Sequence, residues 1–333
     1  PVTDQNATTG TTVNFSVDTN GTSLTYQWQK QEVNGTWVDI NGETDKTFNI
    51  TNVRLDQTGA YRVAISNNVG DTIYSTPGNL TVTAPPDQIL YVNLNASGIE
   101  DGLSWINAFT DLQTALSFAS ADNQIWIAQG TYKPSNSNNT ADHFNPPAGV
   151  KIYGGFKGYE ASLNQRDWRA NRVRLSGDLL GNDNANILTT EPTRTDNSAN
   201  IMKLMNKGEE VILDGLTFTG GGSSALLMHK SVVTIQNCVF EKNTGNSAAS
   251  IFDDGDLVRG GGGTLKVFNT VIQDNMSHRG GNFHICGGTN FEIKNCVFRN
   301  NETKSSPTGY EWGGALFISQ IPSNAVGTIH DSL

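Results

Sequence analysis

Hydrophobic and polar positions in the first 84 residues alternate with a period of two in short runs. The runs are Val13-Asn14-Phe15-Ser16-Val17, Thr25-Tyr26-Gln27-Trp28-Gln29, Thr47-Phe48-Asn49-Ile50, Tyr61-Arg62-Val63-Ala64-Ile65 and Leu80-Thr81-Val82. Successive side chains of a strand point to opposite faces, so this alternation predicts strands buried on one face. Asn20-Gly21, Asn34-Gly35 and Asn41-Gly42 supply turns between them. Runs at this spacing predict an all-β sandwich over residues 1–84. Residues 85–87, Pro85-Pro86-Asp87, read as a linker that Pro-Pro stiffens, with the two domains in a semi-extended arrangement.

From residue 88 to 333 the pattern changes. Ile89–Val92, 124–128 and 150–156 read as strands. Between the first two, Phe109, Leu112, Ala115, Leu116 and Ala119 fall at helical spacing and predict a short helix over 110–119. After residue 210 the chain repeats. Val211 to Phe218, Val233 to Phe240, Leu265 to Ile272 and Phe291 to Phe298 align, and a fifth copy begins at Thr328. Their turn positions are Gly215, Asn237, Asn269, Asn295 and Asp331, separated by 22, 32, 26 and 36 residues. A second column follows in each repeat, at 225–228, 250–253, 282–285 and 315–318. A constant strand motif with variable spacing predicts stacked coils, each adding a strand to each sheet while the loops vary. Two short strands per coil fit a right-handed parallel β-helix. The turn asparagines would stack as a ladder of shared amide hydrogen bonds. The chain holds 37 Asn, about one residue in nine, which such a ladder helps to explain.

Composition narrows the class. Charged residues are only 16%, which argues against coiled coils and helical bundles. The net charge of −10 removes the basic footprint that nucleic-acid binding needs. No run of 18 apolar residues spans a membrane. The three cysteines, Cys238, Cys286 and Cys296, make neither a disulfide framework nor a zinc motif. Cys238 and Cys296 share an inward column with Thr270, two coils apart. At about 4.8 Å per coil they lie about 10 Å apart, beyond disulfide reach, and read as small core residues. The fifth repeat stops at Leu333 part-way through its motif, so the native chain is expected to continue.

Two resemblances rest on these residues. The order from Val13 through Trp28, Phe48 and Tyr61 to Leu80 resembles an immunoglobulin-like domain of the intermediate type found in bacterial surface proteins. This implies a buried core tryptophan at Trp28 and a tyrosine corner at Tyr61. Val17 and Val63 stand where that family has its disulfide cysteines. Such domains serve as spacers or low-affinity binding modules. Residues 88–333 are similar to the pectin-lyase-like β-helix superfamily. Tyr91-Val92-Asn93, Asp101 to Trp105 and Phe109 to Leu116 match its N-terminal capping segment. The repeats are also similar to those of chlamydial polymorphic outer membrane proteins. They pair Gly280-Gly281-Asn282-Phe283 and Gly313-Gly314-Ala315-Leu316 with Phe240 to Asn243, Ile272 to Asn275 and Phe298 to Asn301. That family implies adhesion at a cell surface.

Many relatives of the fold cleave polysaccharides, which takes paired carboxylates or a carboxylate cluster with a basic residue. On a stack of coils these would line up on outward columns. The first strand offers Ile212/Asp214, Thr234/Gln236, Lys266/Phe268 and Glu292/Lys294, with no column of acids. Glu292 beside Lys266 and Lys294 reads as a solvated ion-pair face. The best catalytic candidates are Asp253, Asp254 and Asp256 with Arg259, in the loop after a second-column strand. His278, Arg279 and His284 fall one coil later and Glu311 a further coil on. The same three acids are the candidate Ca²⁺ ligands, no other cofactor being expected. Phe252, His284 and Phe317 form an exposed column suited to stacking on sugars or to protein contact.

The sequence therefore predicts a secreted or cell-surface, adhesin-like or structural protein that displays loops on a rigid β-helix. Its expected partners are an extracellular glycan, a surface protein or other copies of itself. A polysaccharide lyase or glycoside hydrolase is the alternative, and the reading leans away from catalysis.

Overall fold

The computed structural model describes residues 1–188, 190–246, 248–253, 262–278, 281–304, 314–319 and 325–333. It divides into two compact units, Pro1–Pro85 and Pro86–Leu333.

The first unit is made of short strands. One sheet runs in the order Gln5–Thr8, Gly78–Thr83, Gly59–Ser66, Thr25–Gln31 and Trp37–Asp39, with Thr72–Tyr74 also paired to Gly59–Ser66. Val13–Ser16 and Thr47–Ile50 pair antiparallel as a second sheet. The alternation predicts all but three of these strands. Gln5–Thr8, Trp37–Asp39 and Thr72–Tyr74 bury little of either face, so no period marks them. Phe15, Trp28, Phe48 and Tyr61 pack their rings with centroids 5.2–6.2 Å apart. The Trp28 indole N–H donates to the Asp45 carbonyl at 2.9 Å, and the Tyr61 hydroxyl donates to the Gln57 carbonyl at 2.6 Å. Each polar tip is thus satisfied inside an apolar core. Val17 and Val63 are both buried.

The second unit is built on parallel sheets. The longest has eight strands: Ile89–Val92, Gln124–Ala128, Lys151–Phe156, Val211–Asp214, Val232–Gln236, Thr264–Phe268, Asn290–Lys294 and Gly327–His330. A second has six: Gly130–Tyr132, Val173–Ser176, Leu216–Thr219, Val239–Glu241, Val271–Gln273 and Val297–Arg299. A third has five: Asn200–Met205, Ser224–His229, Ile251–Asp253, Phe283–Cys286 and Leu316–Ser319. In all three the order of strands in space is their order in the chain. Val211, Val233, Leu265 and Phe291 lie in one register and are buried, as do Leu213, Ile235, Val267 and Ile293. Leu216, Cys238, Thr270 and Cys296 are buried beside them, and all three cysteines are free thiols. The only α-helix among the described residues is Leu112–Phe118, where the Asp111 side chain caps the Thr114 amide at 3.0 Å.

Two corners recur. At the first, Gly215, Asn237, Asn269, Asn295 and Asp331 all have φ between +49° and +74°. At the second, Gly220, Lys242, Asp274 and Asn300 have φ between +52° and +75°. Asn tolerates this left-handed region better than most residues, which accounts for its recurrence. The amide ladder expected at the first corner is incomplete. Asn295 Nδ2 donates to Asn269 Oδ1 at 3.3 Å, whereas Asn237 Nδ2 turns to Asp214 Oδ1 at 2.9 Å. The continuous ladder lies just past the second corner instead. Asn243 Nδ2 donates to Asn275 Oδ1, and Asn275 Nδ2 to Asn301 Oδ1, each at 3.0 Å. At the first corner Asn269 and Asn295 are exposed and need no protein partner, whereas Asn243 and Asn275 are fully buried and satisfy each other.

Candidate functional site

The third sheet presents one outward column: Lys203, Leu227, Phe252, His284 and Phe317, one residue per strand and in register. Strand alternation places it there, because Leu226, Ile251 and Phe283 on the same strands are buried inward. The His284 ring lies 5.3 Å from Phe252 at 29° and 4.7 Å from Phe317 at 52°. Its Nε2 is 2.9 Å from the Ser319 hydroxyl. The column is half-buried rather than exposed as expected, because the rings cover one another. Burial lowers the His284 pKa to about 4, so the imidazole is neutral near pH 7. A neutral imidazole between two phenyl rings is suited to stacking. Lys203 and Ser319 escaped the sequence reading. Lys203 precedes the recognisable repeats, and Ser319 follows the aligned column by one residue.

The acidic candidates fare differently. Asp253 is the last residue of a strand, paired with Met228 in an inward column and fully buried. It was expected in the loop after the strand, but it closes the strand Ile251–Asp253 itself. The Cys286 thiol donates to its carbonyl at 3.0 Å. Asp254, Asp256 and Arg259, together with Arg279 and Glu311, lie outside the described residues. His278 is half-buried at the end of Met276–Ser277. Among the described residues no group of three or more His, Cys, Asp or Glu is placed to hold a metal ion.

On the long sheet the expected outward columns are in register. Lys266 pairs with Glu292, and Phe268 with Lys294. No ion pair closes between these charges among the described residues, so the expected ion-pair face is only a set of nearby charges. Asp214 on this sheet is buried and salt-bridged to Arg166. Its carboxylate also accepts from Gln236 Nε2 at 2.8 Å and Asn237 Nδ2 at 2.9 Å. Arg166 reaches Asp214 from the segment that joins Lys151–Phe156 to Val173–Ser176. The segment crosses at Gly155, where a Cβ would sit 2.6 Å from the Trp168 Cα, so only glycine fits. Phe156 stacks on Trp126 with centroids 4.7 Å apart.

Among the described residues no helix is long and apolar enough to cross a membrane. Residues 3–84 match the model of a family described as a domain of unknown function, DUF8696. That span coincides with the first unit. No curated protein matches the chain.

Proposed function

We propose that residues 88–333 form a right-handed parallel β-helix of the pectin-lyase-like kind behind an immunoglobulin-like unit, and that the chain is an extracellular, adhesin-like display protein. The observation that carries this reading is the in-register strip Phe252–His284–Phe317. The chain-ordered parallel sheets support the β-helix, and the buried Trp28 with the Tyr61–Gln57 hydrogen bond supports the immunoglobulin-like unit. Every strand inside a stack is hydrogen-bonded to neighbours above and below, so the strip is held rigid before a ligand arrives. Little ordering entropy is then lost on contact. Flat apolar rings with a neutral imidazole suit the ring faces of a sugar or an apolar patch on a surface protein.

The test is retention of the chain on immobilised neutral and acidic polysaccharides, with and without Ca²⁺, while assaying for released products. Retention without products is expected. Phe252→Ala with Phe317→Ala should weaken it about tenfold, equivalent to about 1.4 kcal/mol. New reducing ends or unsaturated sugars would overturn display in favour of a lyase or hydrolase. Retention indifferent to both substitutions would remove the strip from the mechanism.

A further inference from the structure

In the first unit the strand Thr72–Tyr74 pairs only with Gly59–Ser66, so its other edge is open. The Ser75 amide donates to the Val63 carbonyl at 3.0 Å, and the Asn67 amide to the Asp71 carbonyl at 3.1 Å. Bonded and non-bonded pairs alternate along an antiparallel ladder. Ile73 is therefore bonded to Gly59–Ser66, while Thr72 and Tyr74 turn their N–H and C=O groups to the open edge. No charge or proline within the strand blunts that edge. Ile73 lies opposite Ile65 on the core side of the sheet. Ile65 is buried, yet Ile73 is 66% exposed, because the two-stranded second sheet leaves it uncovered. A cleft of about 580 Å³ opens there, with Val17, Leu24, Ile65 and Ile73 in its wall.

The opposite face of the same strand carries a charge. Tyr74 lies opposite Ala64 on the outer side, and its ring covers Arg62. The Arg62 guanidinium is 4.1 Å from the Tyr74 ring centroid and 4.3 Å from that of Trp37, and the two rings come from strands on either side of it. Arg62 Nε donates to Gln29 Oε1 at 2.7 Å, and Gln29 Nε2 donates to Asp39 Oδ1 at 2.7 Å. The neutral amide thus fixes the guanidinium without neutralising it. Arg62 forms no ion pair among the described residues, and its two terminal nitrogens donate to no acceptor there. A guanidinium with ring-shielded faces and a free edge keeps its paired donors for a carboxylate.

Edge, cleft and guanidinium together select the occupant. Open N–H and C=O groups are met by another extended backbone, which neither a sugar chain nor a lipid carries. Consecutive side chains of an added strand point to opposite faces, so one enters the cleft and the next reaches the outer side. One unpaired guanidinium balances one carboxylate. We infer that the Thr72–Tyr74 edge binds an extended segment of a partner protein in which an acidic residue adjoins an apolar one. The segment's backbone pairs with Thr72 and Tyr74, its carboxylate meets Arg62, and its apolar side chain covers Ile73. The first unit is then a peptide-binding module in its own right. The inference is independent of the strip on the third sheet.

The test uses the full chain and fluorescent peptides of alternating Val and Glu, Val and Gln, or Val and Lys, read by anisotropy. The Val–Glu peptide is expected to bind, more weakly as salt screens Arg62. The Val–Gln and Val–Lys peptides should bind about tenfold more weakly or worse, a comparison that probes Arg62 without altering the protein. Arg62→Gln should bring the Val–Glu peptide down to the Val–Gln level. Thr72→Pro removes an N–H that faces the open edge and no bond to Gly59–Ser66, and should weaken binding by about tenfold. Lys46→Gln, at an exposed cation elsewhere on the unit, should leave binding unchanged. The inference is overturned if the Val–Glu peptide does not bind at low salt, or if the Val–Gln peptide binds as tightly. It is equally overturned if Arg62→Gln or Thr72→Pro binds like the parent, or if Lys46→Gln weakens binding as much as Arg62→Gln. Displacement of the peptide by galacturonate oligomers as readily as by unlabelled peptide would also overturn it, since the carboxylate alone would then be what is recognised.

Discussion

Replacing Asn275 by alanine tests what holds the coils in register. Its carboxamide is fully buried and makes four hydrogen bonds. Nδ2 donates to the Phe240 carbonyl at 2.9 Å and to Asn301 Oδ1 at 3.0 Å. Oδ1 accepts from the Asn243 backbone amide and from Asn243 Nδ2, both at 3.0 Å. At about 1 kcal/mol net for each bond, the loss is about 4 kcal/mol. The groups left behind cannot reach water, because Asn243 is itself fully buried. Most of that loss should therefore appear as destabilisation. Urea unfolding of the full chain, followed by near-ultraviolet circular dichroism, measures it. Hydrogen exchange at the Asn243 amide should accelerate in parallel. The exposed Asn295→Ala provides the contrast: it loses one 3.3 Å bond and sets alanine in the left-handed region, at a cost of about 1–2 kcal/mol. If Asn275→Ala is no more damaging than Asn295→Ala, the buried ladder does not hold the stack together, and the reasoning fails.

Three further outcomes follow from the geometry. Arg166→Ala strands the buried Asp214 carboxylate and should destabilise the second unit by about 3–5 kcal/mol in denaturant titration, a loss below about 1 kcal/mol contradicting the role given to the pair. His284 has its pKa lowered to about 4 by burial, against an ordinary 6.5, so its contribution to stability is complete above pH 6.5 and is lost as pH falls toward 4. An NMR titration should find the low value, His284→Phe should flatten the acid limb of stability, and a measured pKa near 6 would refute the buried stack. Burial raises the Cys296 thiol pKa and pushes Cys238 up to about 12. A thiol reagent at neutral pH should therefore modify none of the three cysteines before unfolding and all of them after, and fast labelling of the native chain would contradict their placement.

The repeats were legible because each coil re-uses the same inward volumes. Leu226, Ile251, Phe283 and Leu316 share a register that can be read directly from their neighbours in the chain. The earlier coils were harder to see. Val173–Ser176 and Asn200–Met205 belong to the second and third sheets. They sit among long connecting segments whose polar content hides the period. The ladder was misplaced because two asparagine columns share one spacing. Nothing in Asn269 or Asn275 alone says which amide faces water and which faces the core. Asp253 misled for a related reason: Asp-Asp-Gly-Asp is turn chemistry, yet its first residue still belongs to the strand and takes the place of Met228. The ring clamp on Arg62 joins it to Trp37 and Tyr74, and no local pattern connects them.

The uneven loops have a consequence for length. Bonds between adjacent coils join residues 22, 32, 26 and 36 apart in sequence. Each of these intervals nevertheless advances the stack by a single strand spacing of about 4.8 Å. Distance along the axis is thus counted in coils and is indifferent to residue number. Sequence inserted between strands widens the molecule without displacing what lies further along it, so the second unit works as a ruler whose marks stay in place while its edges are rewritten.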